Sequence, residues 1–246
     1  MIEEEFLKVR GQGLMIRESE KVPIDSTIKM NKKKKEHYPI DNVRLFLFFK
    51  PKGVISEEKD RTKMGRFSCH EFIRRKWDMT QTLYSNTRLD FNCEGLMLFT
   101  DSVEMDQVLA KNQDRYEYVF MVKVQGNFTE EKFRKIRQGA IVKGKQIGPF
   151  YCNVKKRLKT NTVLEFKTNV PRNREIKLIL QKNDLRMGKC VLEKYGPFSK
   201  GQLKQGDFTE VLIPPSLKRF YYDHKSEKID QANKLLNCKV LKKSIL

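Results

Sequence analysis

Thr87-Arg88-Leu89-Asp90-Phe91-Asn92-Cys93-Glu94-Gly95-Leu96-Met97-Leu98-Phe99-Thr100 joins an Arg-Leu-Asp triplet to a glycine and a short apolar run. Leu96 to Phe99 reads as a strand, because four large apolar side chains in succession suit a strand covered on both faces. Asp90 stands just ahead of that strand, close to the basic Arg88. The chain has 246 residues and a formal net charge of +20, so a carboxylate seated beside a cation suggests chemistry on a polyanion.

The pattern extends in both directions. Upstream, Val43 to Phe49 is nearly continuous in apolar and aromatic residues and predicts a second buried strand, broken by Lys50-Pro51-Lys52-Gly53. A helix is expected within Phe67 to Trp77. Downstream, Thr100 or Asp101 is placed to cap a helix over about 102–111. Glu117 to Val124 reads as a strand ended by Gly126. Thr129-Glu130-Glu131 opens a helix with a capping hydroxyl and acidic first-turn charges, and Gly139 closes it. Strands are expected near 149–155 and 162–168, then near 189–194 and 207–213, where Pro214-Pro215 stops the pattern. Between these pairs Arg174 to Lys182 is helical, with Ile176, Ile179 and Leu180 on one stripe. Strands outnumber helices and are separated by turns. The fold class is therefore α+β, a mixed and largely antiparallel sheet with helices packed on it. Residues 1–42 form a basic N-terminal extension containing Lys32-Lys33-Lys34-Lys35, residues 43–215 the sheet-bearing domain, and residues 216–246 a basic tail with helical potential around 226–237.

Hydrophobic residues make up 39% and charged residues 33%, enough to build a core beneath a heavily charged surface. Lys and Arg total 51 against 31 Asp and Glu, an excess that points to a phosphate-rich partner rather than a membrane surface. No apolar run approaches the roughly 20 residues needed to span a bilayer. No helix-turn-helix or finger pattern favours DNA. The five cysteines, Cys69, Cys93, Cys152, Cys190 and Cys238, contain no C-x-x-C spacing, and the three histidines are far apart. Neither a disulfide framework nor a metal site is expected. The acidic start Met1-Ile2-Glu3-Glu4-Glu5 matches neither a secretory signal nor an Arg-rich transit peptide.

Five segments, in order from about Arg44 to Val211, resemble the successive motifs of one family. They are Phe49-Lys50-Pro51-Lys52-Gly53-Val54; Arg88-Leu89-Asp90 with Glu94-Gly95-Leu96 behind it; Gly148-Pro149-Phe150; Arg172-Asn173-Arg174-Glu175-Ile176-Lys177; and Tyr195-Gly196-Pro197-Phe198 followed by Leu203 and Gly206. The chain resembles the ribosomal pseudouridine synthases of the RsuA/RluB type. The resemblance implies a central mixed sheet with the cleft across it, and isomerisation of uridine to pseudouridine in ribosomal RNA without metal or organic cofactor. It implies that Asp90 is the catalytic carboxylate. Lys177, where the family usually has an Arg, would be its ionic partner and keep it charged. The target base has to leave the RNA stack, so an aromatic ring is expected beneath it. The resemblance puts Phe120 there in place of the usual Tyr, with Tyr118 two positions away on the same strand face. Arg88 would anchor a phosphate or the flipped nucleotide, and Arg172, Arg174, Lys50 and Lys52 would contact RNA.

The chain departs from the family pattern at several points. Thr87 and Pro171 stand where glycines are usual, Lys177-Leu178 replaces an Arg-Arg pair, and the N-terminal S4 domain is reduced or missing in 1–42. Two functions follow as alternatives. One is an active synthase, an isomerase of ribosomal RNA. The other is a catalytically weak or inactive homologue serving as a structural subunit or assembly factor of a ribosome. In both, the expected partners are ribosomal RNA with ribosomal proteins or an assembly intermediate, and no membrane. The Lys-rich composition and long basic tail read as eukaryotic, and in eukaryotes the resemblance implies work on organelle ribosomes of bacterial descent, so the mitochondrial matrix is the expected location, with the cytoplasm as the alternative.

Overall fold

The structure is a computed structural model that describes residues 43–60, 64–170 and 173–228. The N-terminal extension, Arg172 and the tail beyond 228 lie outside the described residues. The strands are β1 (Leu45–Lys50), β2 (Cys93–Thr100), β3 (Tyr118–Gln125), β4 (Ala140–Val142), β5 (Lys145–Ile147), β6 (Tyr151–Arg157), β7 (Asn161–Thr168), β8 (Arg186–Tyr195), β9 (Phe198–Ser199) and β10 (Phe208–Val211). The helices are α1 (Cys69–Trp77), α2 (Val103–Lys111), α3 (Glu130–Gln138), α4 (Arg174–Lys182) and α5, over residues 215–228. One sheet runs in the order β10-β1-β2-β8-β3-β7-β6, with β9 paired to the end of β8. Among the strand pairings of the described residues in this sheet, only β2–β8 is parallel. The fold is thus α+β with a mixed, largely antiparallel sheet. The separate β4–β5 hairpin, which the apolar pattern did not single out, turns at Lys143 and Gly144, both at positive φ.

Burial follows position in the sheet. All six residues of β1 and all eight of β2 are buried, as expected of strands covered on both faces. In β7, Thr162, Leu164 and Phe166 are buried while Val163, Glu165 and Lys167 are partly open, so this half of the sheet has one covered face. Gly95 lies where β2 crosses β8. A Cβ built there would stand 2.4 Å from the Leu192 backbone nitrogen, and its φ of +134° suits glycine alone.

Helix boundaries follow their caps, with two shifts from the sequence pattern. The α2 cap is Ser102, whose hydroxyl accepts from the Met105 amide at 3.2 Å, rather than Thr100 or Asp101. Thr100 is still in β2 and donates its hydroxyl to the Arg44 carbonyl (2.8 Å), while Asp101 is held by the Arg44 guanidinium at 2.8 Å. A helix begins at 215 and covers 226–228 of the one expected around 226–237, whose remainder lies outside the described residues. Pro215 suits a first helical turn, and Leu217 and Tyr221, one turn apart, are buried against the core.

The parallel pairing positions the site. Neighbouring parallel strands start at the same end of a sheet, so the segment leading into β2 and the segment leading into β8 are brought together. The first carries Asp90, and the second is α4 with its following turn.

Candidate active site

Asp90 occupies a turn whose backbone is tied on every side. The Cys93 amide donates to the Asp90 carbonyl and the Gly53 amide to the Phe91 carbonyl, each at 2.9 Å. Ser56, itself buried, grips the preceding residue twice: its hydroxyl donates to the Leu89 carbonyl (2.7 Å) and accepts from the Leu89 amide (3.0 Å). Thr87 is fully buried and its hydroxyl lies 3.5 Å from the Leu98 amide, so this side chain fills the core.

Lys50 corrects one expectation. It is 0% exposed, and its ammonium donates to the carbonyls of Cys93 (2.7 Å), Asp90 (3.2 Å), Pro51 (3.2 Å) and Phe91 (3.5 Å). As the last residue of β1, paired with Gly95, it extends beneath the Asp90 turn and cannot reach RNA. Burial lowers its pKa, and nearby thiols and the Asp90 and Glu94 carboxylates oppose that shift. Its ammonium gives the Asp90 and Phe91 carbonyls a second donor and ties those of Cys93 and Pro51 to the same point.

Asn173 is the residue that sequence reasoning passed over. It stands at the N-cap position of α4, where Asn usually bonds its own helix, yet its side chain makes no capping bond. It turns to Asp90 instead. The Asp90 amide donates to Asn173 Oδ1 at 3.1 Å, and Asn173 Nδ2 donates to Asp90 Oδ2 at 3.2 Å. A backbone donor on one side and a carboxylate acceptor on the other admit only one orientation of the amide. Asn173 is buried and Asp90 half-buried, so the bonds are partly shielded from water. Its place in the quoted motif, just ahead of a helix, was the available signal, but that signal predicts capping.

The carboxylate lies between two cavities. The larger, about 1020 Å³, is lined by Lys52, Asp90, Arg174, Lys177 and Arg186 among others, with Asp184 as a second acid. The smaller, about 560 Å³, is lined by Arg66, Arg88, Asp90, Asn173 and Arg174, with Glu57 and Asp60. Arg174, Lys177 and Gln181 share one face of α4, while Ile176, Ile179 and Leu180 anchor the other face in the core. The structure therefore brings Asp90, Arg88, Lys52, Arg174 and Lys177 together. Lys177 shares the cavity with Asp90, but no ion pair joins the two among the described residues; the carboxylate's side-chain partner is Asn173.

Phe120 and Tyr118 do not join them. Both rings are fully buried, and Tyr118 donates its hydroxyl to the Gln113 carbonyl at 2.9 Å and packs 4.8 Å from the Tyr195 ring. Their strand, β3, lies one strand beyond β8 in the interior, so as it stands neither ring offers a face to a base. Arg172 lies outside the described residues.

The profile of the RNA pseudouridylate synthase family matches residues 44–213. An uncharacterized RNA pseudouridine synthase of Rickettsia conorii is 28% identical over 172 residues, covering 70% of this chain and 72% of that protein. The ribosomal large subunit pseudouridine synthase B of Bacillus subtilis is 26% identical over 176 residues, 71% of this chain and 70% of that protein. A pseudouridylate synthase crystal structure superposes with a TM-score of 0.58 at 17% identity, over 74% of this chain and 75% of that one, a likeness of fold. The profile spans the whole sheet, from β1 to β10 and with it the Asp90 turn and α4, and the chain belongs to the RNA pseudouridylate synthase family.

Proposed function

We propose that the protein isomerises uridine to pseudouridine in ribosomal RNA, with Asp90 as the nucleophilic carboxylate. The observation that carries this reading is Asp90, the one carboxylate common to two cavities rich in cations, clamped by Asn173 where they meet. A turn already held in place loses no freedom when substrate arrives, so the carboxylate meets the reacting carbon without reorganisation. Lys52, Arg88, Arg174 and Lys177 supply the positive charge that a phosphate backbone needs on either side of the reacting nucleotide. Lys177 adds its positive charge to the larger cavity that Asp90 lines.

Uridine and pseudouridine are isomers, so no co-reactant is consumed. The N1–C1′ bond breaks and a C5–C1′ bond forms. The hydrogen leaves C5 as a proton, and N1 gains one. The Bacillus subtilis relative, whose name gives it the large ribosomal subunit, supports ribosomal RNA as the substrate class.

The test maps pseudouridine in ribosomal RNA from cells carrying wild-type protein or Asp90→Asn, a replacement that keeps the side chain's shape. Loss of at least one modified position is expected. Modification unchanged at every position would remove the catalytic reading and leave a ribosome-associated homologue without turnover.

A further inference from the structure

The ring that meets RNA beside the reacting uridine is not on β3. We propose that Phe91 is a stacking platform for a base of the bound RNA strand, adjacent to the nucleotide held at Asp90. This rests on the reading of Asp90 as the reacting carboxylate.

Phe91 follows Asp90 directly and sits at the corner of the same turn. Its carbonyl is held inward by the Gly53 amide and the Lys50 ammonium, which fixes the backbone and leaves the side chain on the outer side of the turn. The residue is 36% exposed, the one aromatic among the charged, polar and aliphatic residues that line the two cavities. With Asp90 and Arg174 it lines both cavities, so it forms part of the ridge between them. A strand that passes from the larger cavity to the smaller has to cross this ridge. The Arg66 guanidinium lies over the ring, 4.9 Å from its centre. Bases stack on aromatic rings and on guanidinium planes alike, and stacking tolerates any base because each has a π-face. An aromatic ring braced by an arginine, beside a carboxylate and above two cation-lined hollows, is therefore suited to a single-stranded or everted segment. The buried Phe120 and Tyr118 leave that task unfilled.

The bland account is that Phe91 is a surface ring that merely rests against Arg66. Two measurements separate the accounts, both on the full chain in the Asp90→Asn background, so that binding is read without turnover. The probe is a short oligouridine carrying one 4-thiouridine. Phe91→Ala and Phe91→Leu are expected to weaken its binding about tenfold, and Phe91→Trp to keep or strengthen it. The dependence on salt should be the same in all three, because no charge is removed. Binding by the Ala and Leu variants within about twofold of the parent would overturn the proposal. A Leu variant that binds like the parent while Ala does not would also overturn it, by showing that an apolar contact suffices. Irradiation of the parent with the probe should attach the thiouridine to the peptide containing Phe91, and absence of that adduct counts against the proposal even if the variants fold poorly. The catalytic reading fails separately, if Asp90→Asn leaves ribosomal pseudouridine unchanged.

Discussion

At the scale of single residues, the site depends on who holds the Asp90 turn rather than on who stands beside the carboxylate. Lys50, Ser56 and Asn173 are buried polar side chains, and each spends its hydrogen bonds on that turn. Asn173→Ala would leave the partly buried Asp90 amide without its partner and let the carboxylate swing. It is expected to cost about 1–3 kcal/mol of stability. It should also lower the turnover number roughly tenfold to a hundredfold with KM nearly unchanged, because the loss is one of positioning. Single-turnover pseudouridine formation on a ribosomal RNA transcript measures this. A rise in KM with the turnover number intact would place Asn173 in substrate binding instead. The Arg-Leu-Asp triplet was legible in the chain. Asn173 was not, because an Asn ahead of a helix is ordinarily a cap, and only the parallel pairing brings α4 to the turn.

At the scale of elements, the decisive contact is that of β2 with β8. Cys93 faces Cys190, with the two sulfurs 3.3 Å apart and both buried, and Gly95 faces Leu192. No side chain fits at Gly95, since the nearest Leu192 atoms to a built Cβ are backbone and Cβ at 2.4–2.7 Å. Gly95→Ala is expected to destabilise the protein by about 3 kcal/mol, by clash and by the strain of its positive φ. Urea titration followed by circular dichroism checks this. A loss well under about 1 kcal/mol would mean that β2 and β8 can part without cost, contrary to the packing described. Strand and helix positions were mostly readable from apolar periodicity and punctuation, as α4 over Arg174–Lys182 illustrates. The α2 cap and the start of α5 were not. Thr100 is spent on Arg44, and α5 is anchored by burial of Leu217 and Tyr221 rather than by its own pattern.

At the scale of the whole molecule, the core sets how stability responds to alkali. Burial pushes the thiols of Cys69 and Cys152 up to about 12 from an ordinary 9.0, and Tyr195 up to about 12 from 10.0. The folded chain keeps these protons after the unfolded chain has released them. Their contribution is therefore complete below pH 9 and is lost as the pH climbs towards 12. Lys50 acts in the opposite sense below 10.5, since burial makes the folded state shed its proton first, but burial raises Tyr116 and Tyr118 as well, so it is one group against several. The urea midpoint should fall steadily as the pH climbs above about 9; a midpoint that holds or rises there would contradict the assignment. The chain by itself determined the α+β class, the family motifs and the acid at Asp90, because periodicity, punctuation and short motifs are local properties of neighbouring residues. Tertiary structure alone decided that Lys50 lies under the turn, that Phe120 and Tyr118 are sealed in the core, and that Asn173 clamps the carboxylate. Those facts depend on which strands lie side by side, and contacts between residues some 80 positions apart leave no periodic trace in the order of amino acids.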